Sequence, residues 1–211
     1  DIAKFLNSKG IAGIVVKYRL PSDISQTDKK YVPLLDAQRA VRLVRGNAEK
    51  FNIKPNKIGI IGFSAGGHLA STLGTHFNEK VYEPIDRIDD ESARPDFMAL
   101  GYPVISFGAM THLGSKKNLI GENPTSELVN YFSNEKQVTE LTPPTFLLHA
   151  TDDTVVPVEN SLLFYKAVKD KGVSVTMHIY PKGGHGFGLG LHDEHLKDWG
   201  NRMLDWIVSL R

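Results

Sequence analysis

Ser64 lies in the run Gly62-Phe63-Ser64-Ala65-Gly66, which matches the Gly-x-Ser-x-Gly pattern of a nucleophile elbow. A serine hydroxyl is a weak nucleophile at neutral pH. It needs a general base within hydrogen-bond reach, and that base needs a carboxylate to orient it. His185 is a candidate base, because Gly183, Gly184, Gly186 and Gly188 let the backbone present its imidazole without side-chain obstruction. Asp152 and Asp153 are candidate acids, and since adjacent aspartates point in different directions, at most one can serve. The alternative use of either is as a turn or helix-capping aspartate. Together these residue types support acyl transfer through a covalent ester on serine.

The other histidines have blander readings. Of the 8 in the chain, His68 reads as a helix residue supporting the elbow and His149 as a satisfied structural histidine within a strand. His76, His112, His178, His192 and His195 lack the chain position of a base. The cluster His192-Asp193-Glu194-His195 matches no common zinc spacing and reads as a solvated helix start. No metal ligand set and no cofactor motif is expected.

These side chains must be held by a scaffold. Ile58, Ile60 and Ile61 lead into the elbow as a strand, and residues 68–73 lead out as a helix. Gly62 and Gly66 are expected to give the turn the space it needs. Strands and helices alternate along the chain, which predicts an α/β fold with a mostly parallel sheet. Strands are expected at residues 12–18, 57–62, 97–102, 145–150 and 173–180. Helices are expected at 1–9, 33–51, 159–171 and 196–210, and a loop at 20–23. Pro33 suits a first helical turn, and Gly10 and Gly172 suit helix ends. Residues 77–95 and 106–140 break the alternation and are expected as surface excursions. The second is a candidate lid, in which Glu122, His112 and Ser115 are candidates to line a pocket, the alternative reading of each being a solvated loop residue.

Composition bounds the reading. The 211 residues are 41% hydrophobic and 23% charged with net charge +1, which fits one globular domain over 1–211 and gives no sign of a nucleic-acid binder. There is no apolar run of membrane-spanning length. Cysteine is absent, which excludes disulfides and thiol chemistry. The chain opens at Asp1 inside an expected helix. We therefore expect a fragment or processed product, whose localisation the N-terminus does not reveal.

The assembled motifs resemble the α/β-hydrolase fold and, more narrowly, acetyl-xylan-esterase-like carbohydrate esterases. The resemblance runs nearly the whole chain, through residues 62–68, Tyr102-Pro103-Val104-Ile105-Ser106, Pro143-Pro144-Thr145-Phe146-Leu147, residues 153–161 and Gly183-Gly184-His185-Gly186-Phe187. It implies Ser64 as nucleophile, His185 as base and Asp153 rather than Asp152 as acid, since the acid stands three residues before Val-Pro. It implies Ala65 as one oxyanion-hole donor. The second donor belongs to a Gly-rich loop, preceded by a strand that lies between the first strand and the elbow strand. Neither occurs in these residues, so residues upstream of Asp1 are expected to complete the enzyme and the domain is read as N-terminally incomplete. Loss of one such donor typically costs ~10²–10³ in rate. The implied activity is a serine esterase acting on acetylated xylan or its oligosaccharides, with no cofactor, nucleic acid or membrane involved. Two alternatives stand beside it: a prolyl-oligopeptidase-like peptidase domain, and a truncated hydrolase fold used as a non-catalytic binding module.

Overall fold

The computed structural model describes residues 1–22, 26 and 28–210. Among them are four parallel strands: β1 (Gly59–Phe63), β2 (Phe97–Gly101), β3 (Thr145–Ala150) and β4 (Val175–Tyr180), whose spatial order equals their chain order. All four fall where the apolar runs predict them, with ends shifted by no more than two residues.

Helices cover both faces. On one face α3 (Ala65–His76) and α6 (Glu159–Asp170) pack Ala70, Phe164 and Val168 onto Met98, Leu100 and Leu147. On the other, α1 (Ile2–Asn7) and α7 (Trp199–Ser209) pack Leu6, Trp199, Met203 and Trp206 onto Ala99, Phe146 and Leu148. Alternate residues of β2 and β3 thus enter opposite layers, as the two-residue period of a strand requires. The crossovers containing α3 and α6 both advance in one direction along the sheet. With one handedness they must lie on one face, as they do. α2 (Val32–Gly46) packs Leu34, Ala37 and Val41 against Leu69, Leu73 and Phe77 in a flanking layer.

Three expectations are corrected. Residues 11–20 form no strand, and Ile14, Val15 and Val16 are exposed. A strand exists by pairing its amides and carbonyls with a neighbour. Here a cavity of about 610 Å³, lined by residues 11–16 on one side and 58–63 on the other, separates the stretch from β1. The helix expected over 33–51 stops at Gly46, where the Asn47 Nδ2 caps the Leu43 carbonyl at 2.8 Å and Phe51 is left exposed. The start expected at residue 196 is a turn, and α7 begins at Trp199. That turn is held by Asp193, whose Oδ1 accepts the His195 amide at 2.8 Å. The loop expected at 20–23 includes Asp23, which lies outside the described residues together with Ile24, Ser25 and Thr27.

The two insertions are well anchored. In 77–95, Arg39 pairs with Asp86 at 2.7 Å and with Asp89 at 2.9 Å, and the Arg42 guanidinium donates to the Tyr82 hydroxyl at 2.6 Å. The segment 106–140 contains α4 (Leu113–Ile120), α5 (Ser126–Tyr131) and a 3-10 turn at Asn134–Lys136. An apolar cluster of Val104, Phe107, Ile120, Phe132 and Val156 holds it to the rest of the chain. Glu122 pairs with Lys117, and His112 Nδ1 accepts the Ser115 amide at 3.2 Å, so His112 caps α4.

Candidate active site

The candidate nucleophile, acids and base each lie beyond the carboxyl end of a strand. Ser64 follows β1 directly and has φ 53° and ψ −122°, a conformation that L-residues rarely adopt. The turn is held from both sides: the Ser64 amide donates to the Gly101 carbonyl at 3.0 Å, and the Ser64 carbonyl accepts from Val104 at 3.1 Å and Gly67 at 2.9 Å. A Cβ on Gly62 would stand 2.2 Å from the Gly66 carbonyl oxygen, and one on Gly67 would stand 2.6 Å from Pro103 Cβ. Gly66 has open space at that position, so the glycines the turn requires are Gly62 and Gly67, not Gly62 and Gly66. Ala65 opens α3. Its N–H has no carbonyl one turn earlier to bind and adds to the positive end of the helix dipole.

The three residues singled out as nucleophile, base and acid meet. Ser64 Oγ lies 2.8 Å from His185 Nε2, and His185 Nδ1 lies 2.7 Å from Asp153 Oδ2. The Asp153 side chain is fully buried, and its Oδ1 accepts the Val155 and Val156 amides, both at 2.9 Å. A carboxylate held by those amides can only accept, so His185 Nδ1 carries a proton and donates it. Nε2 is then free to accept from the Ser64 hydroxyl.

Several supporting residues are not evident from the sequence. Asp152 Oδ1 accepts the Gly184 amide at 2.8 Å, so the second aspartate fastens the loop that carries His185. Gly184 and Gly186, on either side of His185, have φ of 60° and 79°. Tyr102 packs its ring edge-on to His185 at 5.1 Å and to Phe187 at 4.8 Å, and its hydroxyl accepts the Gly188 amide at 3.3 Å. Trp199 Nε1 donates to the Gly188 carbonyl at 2.9 Å, tying α7 to the same loop. The Tyr-Pro step after β2 is the sequence signal that marks Tyr102.

His68 does support the elbow helix. Its Nε2 donates to the Phe132 carbonyl at 2.8 Å, and its ring stacks on Phe107 at 4.5 Å. Burial pushes its pKa down to about 4. Burial likewise pushes His76 down to about 4. Asn134 Nδ2 donates to Ser71 Oγ at 2.7 Å and Thr72 Oγ1 at 3.0 Å, binding the 106–140 segment to α3. A cavity of about 300 Å³ beside Ala65 is bordered by Phe107, Ser115, Asn118 and Leu119 of that segment. Of the three pocket candidates, Ser115 therefore borders this space, while His112 and Glu122 do not. Among the described residues, no group of three or more His, Cys, Asp or Glu is arranged to hold a metal ion.

A parallel sheet with a strained serine turn after one strand, and an acid and a histidine after two others, defines the α/β-hydrolase fold. The chain belongs to the BD-FAE family, whose family model matches residues 1–168. It is similar to the solved acetyl ester-xyloside bifunctional hydrolase of Caldicellulosiruptor lactoaceticus, with 47% identity and a TM-score of 0.90 over 99% of this chain and 75% of that one. It is 42% identical to endo-1,4-beta-xylanase B of Butyrivibrio fibrisolvens, over 91% of this chain and 30% of that protein. It is 38% identical to an acetylxylan esterase of Xylanibacter ruminicola, over 98% of this chain and 40% of that protein. The chain thus spans less than half the length of these two curated relatives.

Proposed function

We propose that this chain carries the site of a serine carboxylic-ester hydrolase that deacetylates acetylated carbohydrate, such as xylan or its oligosaccharides. The observation that carries this reading is the unbroken line from Ser64 Oγ through His185 to Asp153, with contacts of 2.8 and 2.7 Å. Ser64 Oγ attacks the acetyl carbonyl while His185 Nε2 takes its proton. The oxyanion accepts from the Ala65 N–H at the start of α3, where the helix dipole favours negative charge. Asp153 holds the imidazolium in place. His185 returns the proton to the departing sugar hydroxyl, leaving acetyl-Ser64. Water, deprotonated by His185, then releases acetate and restores the serine. The substrate is a small or oligosaccharide ester, and the border that 106–140 gives the cavity beside Ala65 supports its assignment as a cover over the site.

The test is acetate release from acetylated xylo-oligosaccharide and from p-nitrophenyl acetate. Ser64→Ala is expected to lower both by at least ~10³-fold. Unchanged turnover in that variant overturns the mechanism. Faster cleavage of an aminoacyl-anilide than of the esters would move the site to peptide chemistry. A fluorophosphonate that fails to label Ser64 in folded protein would make the fold a binding module.

A further inference from the structure

We propose that His149 is a positioning residue for Asp153: a second imidazole whose Nε2–H dipole lies against the carboxylate and sets how strongly Asp153 holds His185. The inference rests on reading Ser64, His185 and Asp153 as a triad. His149 is in β3 and its side chain is fully buried. Its Nε2 lies 3.0 Å from the Val156 carbonyl oxygen and 3.3 Å from Asp153 Oδ2. Its Nδ1 lies 2.8 Å from Ser161 Oγ.

These contacts fix the tautomer. Both neighbours of Nε2 are acceptors, so Nε2 carries the hydrogen; it donates to the Val156 carbonyl and leaves the positive end of the N–H dipole beside Asp153 Oδ2. Burial lowers the His149 pKa and keeps the ring neutral, although Asp153 pulls the other way. Nδ1 therefore holds a lone pair, which accepts the Ser161 hydroxyl hydrogen. One neutral tautomer satisfies every contact.

Asp153 is thus surrounded by N–H groups. Oδ1 receives two backbone amides, Oδ2 receives His185 at 2.7 Å, and His149 Nε2 stands 3.3 Å from Oδ2. The side chains run Ser64, His185, Asp153, His149, Ser161, a sequence symmetrical about the carboxylate. The outer serine–histidine pair faces the substrate side, and the inner pair is sealed between β3 and α6. His149 cannot reach substrate, but it draws on the same oxygen that stabilises the His185 cation. Without its N–H, Oδ2 would bind the His185 proton more tightly, and the base would keep that proton to higher pH. The titratable groups around the pair are Tyr102 at the end of β2, Asp152 on the loop after β3, and His185 itself; Glu159 in the first turn of α6 is exposed.

The test compares His149→Phe, His149→Gln and Ser161→Ala in the full chain. It reads the acid limb of the kcat/KM profile with p-nitrophenyl acetate and the downfield proton resonance of His185 Nδ1–H. His149→Phe is expected to move the acid limb up by roughly 0.5 pH unit and to shift the resonance. His149→Gln keeps an N–H near the Nε2 position and is expected to return both toward wild type. Ser161→Ala leaves the ring in place but removes the partner of Nδ1, and is expected to shift both in the same sense by less. It decides the matter if His149→Phe does not fold. An unmoved limb and resonance in the folded variants overturn the proposal, as does an equal shift in the Phe and Gln variants. The resonance is also read in a Ser64→Ala background, where no turnover is needed, so a failure of the esterase reading is separable from a failure here.

Discussion

Ser64→Gly is expected to give a more stable protein than Ser64→Ala. Both variants remove the hydroxyl and its bond to His185, so they differ only in the Cβ. At an ordinary position glycine is about 0.5–1 kcal/mol less stable than alanine, because the unfolded chain gains freedom. At Ser64, φ 53° and ψ −122° place any Cβ-bearing residue in a region that costs about 1–3 kcal/mol. Glycine relieves that strain, and the net gain is about 1 kcal/mol, which for a domain of this size raises Tm by about 2–4 °C. Calorimetry and urea unfolding of the two variants at one pH measure the difference. A glycine variant that melts at or below the alanine variant would refute the reasoning, because the ordinary sign would then hold. Gly62 supplies the opposite case. Its Cβ would stand 2.2 Å from a backbone carbonyl, so Gly62→Ala is expected to destabilise by more than ~2 kcal/mol.

Two further outcomes concern the site and its support. Asp153→Asn, which removes the acceptor for His185 Nδ1, is expected to lower kcat by ~10³–10⁴, whereas Asp152→Asn, which only weakens the tether on Gly184, is expected to cost less than ~10-fold. Steady-state kinetics at neutral pH separate the two. Acid should destabilise the fold through His68 and His76: each titrates near 6.5 when unfolded and near 4 when folded, so the unfolded chain binds protons first as pH falls. Their stabilisation is fully present above about pH 6.5 and declines toward pH 4, by roughly 2–3 kcal/mol each at about pH 4.5, measurable by urea unfolding across that range.

The sheet is legible in the sequence because β1 to β4 are apolar runs of strand length bounded by glycine and proline. The three candidate site residues are legible because each follows its own strand. Residues 12–18 have the same β-branched character as β1, but strand formation depends on a neighbour that a local pattern does not contain. The end of α2 turns on the Asn47 cap, which competes successfully with an apolar spacing that runs on to Phe51. Gly66 and Gly67 are adjacent and chemically identical, and only the approach of Pro103 decides which one the elbow requires. His149 reads as structural in the sequence because its distance to Asp153 arises from the turn at 151–153, which brings the chain back over its own strand.

The bond from Trp199 to the Gly188 carbonyl makes the histidine loop depend on α7. Ser64 and Asp153 lie directly after β1 and β3, whereas that loop is clasped by α7, which docks against Ala99, Phe146 and Leu148. On the reading of Ser64 as nucleophile, a substitution in α7 reaches the serine through the loop that α7 holds.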